Sequence, residues 1–244
     1  LPKKERLLER PELIAEINDK FKEPKGIQTV VITGIGGAGK TTLAIHLAVA
    51  AELEGRTAVI IDLDPQASAA NWKDSRKSDT PIVISAQASR LPSVLEVAKK
   101  GGADFCIIDT APHSESASLV AARSADLILI PCRPSILDLR AIGATIDLSK
   151  IAGKPVSVVL NSVSPRGSLA KEAELAVAGY NTQVAAVKIV QRADFMHALT
   201  IGQTAQEYEP GGKATEEIIQ LYKWTCIQVG LKHDKEKNTR RRFT

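Results

Sequence analysis

A run of nine residues, 34–42, has the composition and spacing of a phosphate-binding loop. It reads Gly-Ile-Gly-Gly-Ala-Gly-Lys-Thr-Thr and matches the pattern G-x-x-x-x-G-K-[ST], in which glycines let backbone N–H groups close around phosphate oxygens. Lys40 would reach the β- and γ-phosphates, and the Thr41 hydroxyl would be a ligand of Mg²⁺. The expected cofactor contacts are Gly36, Gly37, Ala38, Gly39, Lys40, Thr41 and Thr42.

The residues on either side of this loop support a binding role. Residues 30–33 form an apolar run typical of a buried strand, and Leu43, Leu47 and Ala50 recur at helical spacing. A strand that feeds a glycine loop and then a helix places the positive end of the helix dipole against the phosphates. A glycine-rich turn that binds nothing is the alternative, and the full motif in this context disfavours it.

The rest of the chain predicts an α/β fold: one P-loop domain with a mostly parallel, twisted sheet and helices on both faces. Its apolar runs lack polar alternation and are separated by helical stretches, as in a sheet covered on both faces. The predicted strands are 30–33, 57–61, 81–84, 103–109, 127–131, 156–161 and 184–187. Beyond the helix after the loop, the predicted helices are near 91–100, 115–124, 136–150, 168–179, 192–200 and 214–229.

Polar residues stand where these strands end, and ligands of parallel sheets bind at that edge. Asp109 follows the apolar run 105–108. A carboxylate there is the usual second element that holds Mg²⁺, through water, opposite the loop threonine. An aspartate at a strand end by itself is more often a turn or cap residue, but the phosphate loop favours the metal role.

Asp62 and Asp64 follow the strand at 57–61 and would point to the same side of an extended chain. Two carboxylates so close to a triphosphate repel it unless they contact a metal or a water. We therefore predict Asp62 as a metal ligand and Asp64 as the residue that positions the attacking water. The alternative is that one of them caps a helix that begins after Pro65.

Asn161 ends a late predicted strand. Its side-chain amide can both donate and accept along the edge of an adenine base, so we predict an adenine contact. A turn asparagine at a strand end would look identical in sequence, and the two readings stay open.

Composition sets wider limits. The 244 residues suit one domain, and three scattered cysteines without paired spacing favour a reducing cytoplasm. No apolar run has transmembrane length.

We expect a helical extension at 1–26, the ATPase domain at 27–230 and a flexible basic tail at 231–244. Six lysines and arginines against two acidic residues give the tail a charge of +4, which equals that of the whole chain.

From about residue 30 to 223 the chain resembles the ParA/MinD family of dimerising ATPases, and most of all the short ParA type that has no N-terminal DNA-reading domain. The segments that carry the resemblance are 36–42, 62–69, 107–112 and 130–135. The resemblance implies ATP/ADP and Mg²⁺ as cofactors, a homodimer with ATP, weak ATPase activity and nonspecific DNA binding. It also implies a ParB-like or other cargo-adaptor protein that stimulates hydrolysis, and a plasmid, chromosome or other cargo that moves over the nucleoid. We expect a cytoplasmic, nucleoid-associated protein that does not bind membranes.

The resemblance places the DNA-binding surface in the last third of the chain, at Arg192, Lys213 and Lys223, with the tail as a further candidate. Phosphate contacts of this kind predict an affinity that falls steeply with salt. The alternative for each of these cations is an ordinary solvated surface residue.

One position departs from the family pattern. Family loops carry a lysine before Gly36 that reaches the partner's phosphates in the dimer, and here that residue is Ile35. Isoleucine supplies no charge, so we expect slow hydrolysis or a substitute cation, with Lys150 and Lys154 as candidates. The segments 9–14 and 31–44 also resemble the opening of NB-ARC signalling ATPases, in which an apolar residue at this place is ordinary.

Three other functions are alternatives to this one. An NB-ARC-like nucleotide switch is disfavoured, because we expect no additional helical domains that would use the switch. A MinD-like membrane-positioning ATPase needs a C-terminal amphipathic helix, and residues 233–240 have no apolar face. A nitrogenase-type iron–sulfur ATPase needs paired cysteines near the nucleotide switches, and none follows Asp109 closely.

Overall fold

The computed structural model describes residues 26–112 and 114–231. The predicted helical extension and the basic tail lie outside the described residues, apart from their inner ends. The described chain forms a seven-stranded sheet of order β3-β2-β4-β1-β5-β6-β7, in which every pair is parallel. Its strands are β1 (Gln28–Ile32), β2 (Ala58–Asp62), β3 (Ile82–Ser85), β4 (Phe105–Asp109), β5 (Leu127–Cys132), β6 (Val156–Leu160) and β7 (Gln183–Val184).

Helices cover both faces of the sheet and confirm the predicted fold class. One apolar core joins the sheet to α1, α2, α7, α8 and α9, and a second joins it to α3, α4, α5 and α6. Burial on both faces explains why the central strands are apolar at successive positions. The helices are α1 (Lys40–Leu53), α2 (Ser68–Asp74), α3 (Leu91–Lys100), α4 (Glu115–Arg123), α5 (Ile136–Ile151), α6 (Leu169–Ala178), α7 (Ala193–Thr200), α8 (Ala205–Tyr208) and α9 (Lys213–Gln228).

The predicted strand at 184–187 is wrong in its length, because only Gln183–Val184 pair as a strand. Beyond it the chain keeps single contacts with its neighbour: the N–H of Ile189 donates to the Leu160 carbonyl at 2.9 Å, and Val190 forms an isolated bridge with Val163. The short helices α2 and α8 were not predicted, since seven and four residues are too few to show helical periodicity.

The register of the central strands brings their carboxyl ends level. Asp109 at the end of β4 pairs with Ile32 at the end of β1 on one side and with Asp62 at the end of β2 on the other. The phosphate loop leaves β1 at this edge, so the sheet itself places the three segments together. No helix in the described part of the chain is long and apolar enough to cross a membrane.

Candidate nucleotide-binding site

The glycine loop joins β1 to α1 in the conformation that its sequence requires. Gly37 and Gly39 have φ angles of +74° and +88°, in the left-handed region that other residues rarely adopt. Gly39 is also the N-cap of α1. A Cβ atom there would lie 2.4 Å from Nδ2 of Asn161, so a larger residue would both strain the backbone and displace that side chain.

Lys40 is held against the loop that it follows. Its Nζ donates to the carbonyl oxygens of Gly34 at 3.1 Å and Ile35 at 2.9 Å, and the residue is only 7% exposed. Burial lowers the pKa of this ammonium group, and the carboxylates of Asp109 and Asp64 offset part of that effect. The side chain is therefore fixed beside the phosphate loop and faces acidic neighbours.

Thr41 and Asp109 form the contact on which a metal site would be built. The Thr41 hydroxyl donates to Oδ2 of Asp109 at 2.6 Å, across the gap between α1 and β4. Asp109 is fully buried, and its other oxygen, Oδ1, has no hydrogen-bond partner within the described chain. Burial raises the pKa of Asp109 to about 7, and the nearby carboxylate of Asp62 adds to the rise. A bound cation beside Oδ1 would restore its ionised form.

These residues fit Mg²⁺, which prefers oxygen ligands and keeps several waters and phosphate oxygens around it. Among the described residues no group of three His, Cys, Asp or Glu side chains could hold a metal ion alone. A Mg²⁺ site made from the Thr41 hydroxyl, the Asp109 carboxylate and the phosphates of a nucleotide would supply oxygen ligands. It would not need a cluster of three metal-binding side chains.

Asp62 lies next to Asp109, but both of its carboxylate oxygens accept hydrogen bonds from the backbone of nearby residues. Its Oδ1 and Oδ2 each accept a backbone N–H at 3.0 Å, from Asp64 and Ala69 respectively. Ala69 is in the first turn of α2, so Asp62 fastens the start of that helix to the end of β2. The N-cap of α2 is Ala67, so neither Asp62 nor Asp64 holds the cap position that the sequence left as an alternative. A metal role for Asp62 stays a prediction.

Asp64 lies on the wall of the cavity beside the phosphate loop. The cavity has a volume of about 480 Å³, and the side chain is half-buried there. Its Oδ1 accepts the backbone N–H of Gln66 at 2.9 Å, which shapes the turn that leads to α2. The structure therefore brings Asp64 and Lys40 to one cavity, as the predicted roles require, while a role in positioning water stays a prediction.

Two apolar residues of this cavity had no sequence signal. Trp72 of α2 and Leu199 of α7 line it together with the phosphate loop. Neither belongs to a motif, and α2 is too short to be recognised by periodicity. Their placement follows from tertiary packing, because the indole N–H of Trp72 donates to the Gln203 carbonyl at 3.2 Å.

Asn161 contacts the phosphate loop directly. Its Nδ2 donates to the carbonyl oxygen of Ala38 at 2.7 Å, and the side chain is buried. The amide nitrogen that was predicted to meet an adenine edge is thus directed at the loop.

Lys150 and Lys154, the candidates to replace the missing lysine, lie far from the phosphate loop of their own chain, and a role of either on a partner's phosphates in a dimer stays a prediction. Lys150 lies in the last turn of α5, and Lys154 precedes β6, so both are at the amino-end edge of the sheet. The phosphate loop is at the opposite edge, about 15 Å away along a five-residue strand. The Nζ of Lys150 instead donates to the Tyr180 carbonyl at 3.1 Å.

Ile35 lines a different cavity from Lys40. This cleft, of about 770 Å³, lies between α4 and α5 and is bordered by Leu119 and Leu148. The side chain that replaces the family lysine therefore contributes apolar surface on the α4–α5 side of the loop.

The three predicted DNA-binding cations differ in their surroundings. Arg192 forms an ion pair with Glu217 at 2.6 Å, and Glu217 also accepts the N–H of Val190 at 3.0 Å. Lys213 and Lys223 are exposed on α9. Only the two lysines therefore present their charge outward, since that of Arg192 is matched by Glu217.

A parallel sheet, a glycine loop between its first strand and helix, a buried lysine and a threonine–aspartate pair define a P-loop nucleotide-binding domain. The model of the CobQ/CobB/MinD/ParA nucleotide binding domain matches residues 29–204, which is more than half of the chain. The chain belongs to this family, whose ParA and MinD branches are P-loop ATPases. The match includes the phosphate loop with Ile35, while the NB-ARC-like segment at 9–14 lies outside both the match and the described residues.

Two relatives are proteins for the maintenance of carboxysome distribution. The chain is 33% identical to protein A of that system from Gloeobacter kilaueensis over 139 residues, which cover 56% of this chain and 63% of the relative. It is 28% identical to the corresponding protein of Halothiobacillus neapolitanus over 197 residues, 76% of this chain and 90% of the relative. The first match thus spans less than two thirds of its relative, and the second spans most of it.

A solved structure has the same fold. The septum site-determining protein MinD from Pyrococcus horikoshii, complexed with Mg-ADP, superposes with a TM-score of 0.66. The superposition covers 83% of this chain and 98% of that one at 20% identity. At that identity the likeness shows the shared fold alone.

Proposed function

We propose that the protein is an ATPase of the ParA/MinD type that binds ATP with Mg²⁺ and uses the nucleotide cycle to position a cargo. The observation that carries the proposal is the Thr41–Asp109 contact beside the phosphate loop, with a buried carboxylate oxygen that has no partner in the described chain. Family membership supports the nucleotide class.

Different side chains would bind the nucleotide and assist its hydrolysis. Lys40 would move from the loop carbonyls to the β- and γ-phosphates, and Thr41 and Asp109 would hold Mg²⁺ directly or through water. Bound Mg²⁺ neutralises charge on the phosphate oxygens. Asp64, on the cavity wall, would orient the water that attacks the γ-phosphate. Without a loop lysine at position 35, we expect slow basal hydrolysis.

The cargo that we propose is a large protein assembly. Both carboxysome-distribution relatives support this choice over a plasmid. The positioning cycle would need an ATP-bound homodimer that holds nonspecific DNA of the nucleoid, and an adaptor protein on the cargo that stimulates hydrolysis. Lys213, Lys223 and the basic tail would provide the phosphate contacts.

The test combines two measurements on one preparation of the full chain. The mass in solution is measured by light scattering with ADP and with ATP, both with Mg²⁺, and duplex DNA binding is measured at about 50 and 200 mM salt. We expect the mass to double with ATP only, and DNA binding to appear only with the dimer and to weaken by orders of magnitude at the higher salt.

Lys40→Ala is the matched control, because it removes the phosphate contact outside any dimer or DNA surface that we propose. It should stay monomeric and unbound under all conditions. A wild-type protein that stays monomeric with ATP, or that binds DNA equally with ADP, would overturn the positioning cycle. A plasmid cargo would instead be indicated if an adaptor with a specific DNA site, rather than a protein-assembly adaptor, stimulated hydrolysis.

A further inference from the structure

Asn161 is a buried amide whose geometry suits a task other than reading a base. Its side chain is 6% exposed, and its Nδ2 lies 2.7 Å from the carbonyl oxygen of Ala38. A carbonyl oxygen only accepts hydrogen bonds, so the atom that faces it must be the amide nitrogen. The donor of Asn161 is therefore directed at the phosphate loop.

The backbone of Asn161 is fixed as firmly as its side chain. Its N–H donates to the Cys132 carbonyl at 2.9 Å, at the point where β6 leaves the sheet beside β5. Gly39 passes so close that a Cβ there would lie 2.4 Å from Nδ2. The amide thus ties the loop to a strand two places away from β1 in the sheet.

The hydrogen bond from Asn161 to Ala38 affects the part of the loop that would bind phosphate. The peptide between Ala38 and Gly39 is planar, and in a trans peptide the C=O and N–H point in opposite directions. When the Ala38 carbonyl is held toward Asn161, the N–H of Gly39 points away from Asn161. A phosphate loop binds its ligand best when its N–H groups already point inward. A glycine-rich segment can adopt many other conformations, so a contact that holds the right one favours binding.

We propose that Asn161 is a positioning residue that holds the phosphate loop in the shape that accepts phosphate, and not a residue that reads adenine. The inference rests on the proposed nucleotide function and adds a specific role at the same site. It predicts that Asn161 matters equally for every ligand that carries a polyphosphate, whatever base is attached.

The experiment compares three ligands that share phosphates and differ in base: ATP, GTP and inorganic tripolyphosphate, all with Mg²⁺. Affinities are measured by titration calorimetry for the wild type, Asn161→Ala and Asn161→Asp. We expect Asn161→Ala to weaken all three ligands by a similar factor of about tenfold and to leave the ratio of ATP to GTP affinity unchanged. Asn161→Asp keeps the shape but cannot donate to the Ala38 carbonyl, so it should weaken binding at least as much.

Gln183→Ala is the control, because it removes an exposed amide from the edge strand β7. It should bind all three ligands as the wild type does. Unchanged tripolyphosphate affinity in both Asn161 variants would overturn the proposal, and loss of ATP affinity alone would restore the adenine role. A wild type that binds none of the ligands would instead refute the proposed nucleotide function.

A second measurement tests the contact between Asn161 and the phosphate loop without any ligand. Gly39→Ala introduces a Cβ that collides with Asn161, whereas in the Asn161→Ala background that neighbour is gone. The loss in Tm caused by Gly39→Ala should therefore be clearly smaller in the double variant than in the single one, with the strain of the positive φ left in both. Additive losses in Tm would contradict the contact, even if an Asn161 variant were too unstable for calorimetry.

Discussion

At the scale of single residues, Asp64 is the side chain for which binding and hydrolysis can be separated. Asp64→Asn keeps an oxygen that can accept the Gln66 N–H but removes the negative charge that would orient water. We expect ATP affinity to change little and the hydrolysis rate to fall by about 10² to 10⁴. Phosphate release under single-turnover conditions measures the rate.

Asp74→Ala provides the comparison, since it removes an exposed carboxylate at the end of α2. It should hydrolyse ATP at the wild-type rate. If Asp64→Asn also keeps that rate, Asp64 only shapes the turn before α2.

His46 is a second residue with a measurable consequence. The residue is fully buried: its Nδ1 donates to the Thr42 carbonyl at 2.7 Å, and its Nε2 accepts the Ala205 N–H at 3.1 Å. Burial lowers its pKa to about 4, against the opposing effects of the Thr42 carbonyl and Glu207. Protonation at Nε2 would break the contact with Ala205.

The folded protein therefore resists protonation of His46 between its folded pKa and the unfolded value near 6.5. In that range the unfolded state binds more protons, so stability falls as the pH falls from about 6.5 toward 4. The loss from this group should be about 2 to 3 kcal/mol at pH 4.5. Urea unfolding at pH 7.5 and 4.5 should show a larger loss for the wild type than for His46→Gln. Equal losses would show that His46 titrates normally.

The sequence located most of these residues but not their partners. The motif and the strand ends sufficed to predict that Thr41 and Asp109 lie on opposite sides of one site, since parallel strands bring their carboxyl ends together, but not that the two side chains hydrogen-bond directly. The contact of Asn161 with Ala38 could not be predicted, because it depends on how far β6 lies from β1 and on which atom of an amide faces the loop. Trp72 and Leu199 come to the cavity through packing alone.

At the scale of elements, a partly buried ion pair connects Arg76, just after α2, with Glu207 of α8. Arg76 follows α2, and its guanidinium donates to both oxygens of Glu207 at 2.6 and 2.8 Å with a side chain only 5% exposed. The guanidinium also lies 4.9 Å from the ring centre of Trp72. Burial alone would raise the pKa of Glu207, but hydrogen bonds from Arg76 and Thr204 lower it overall.

Removing one partner of this pair should destabilise the fold. Arg76→Met leaves the partly buried Glu207 without its cation, and we expect a loss of about 1 to 3 kcal/mol in the free energy of unfolding, measured in urea. Lys77→Ala, an exposed neighbour, should change stability by less than about 0.5 kcal/mol.

The double variant Arg76→Met with Glu207→Gln should recover part of the loss, because it leaves no unpaired charge. A loss as small as that of Lys77→Ala would contradict the buried pair. Element prediction from sequence failed in this region, since α2 and α8 are short and are held by long-range contacts such as this one.

At the scale of the whole molecule, the distribution of charge bears on the proposed DNA binding. Lys223 is exposed on α9, whereas Arg192 is neutralised by Glu217. With ATP and Mg²⁺ present, Lys223→Ala should weaken duplex DNA binding for all sequences and reduce the salt slope by about 1. Arg192→Ala is the matched test and should leave the slope unchanged. An equal effect of both variants would place Arg192 on the DNA surface.

The proposed function requires that the loop, Thr41 and Asp109 form a Mg²⁺-dependent ATP site. Its most direct test is ATP titration calorimetry of the wild type and Asp109→Asn, each with Mg²⁺ and with EDTA. We predict that Mg²⁺ tightens ATP binding to the wild type by at least about tenfold and that Asp109→Asn removes most of this gain. Equal ATP affinity of the wild type with Mg²⁺ and with EDTA, or no ATP binding at all, would contradict it.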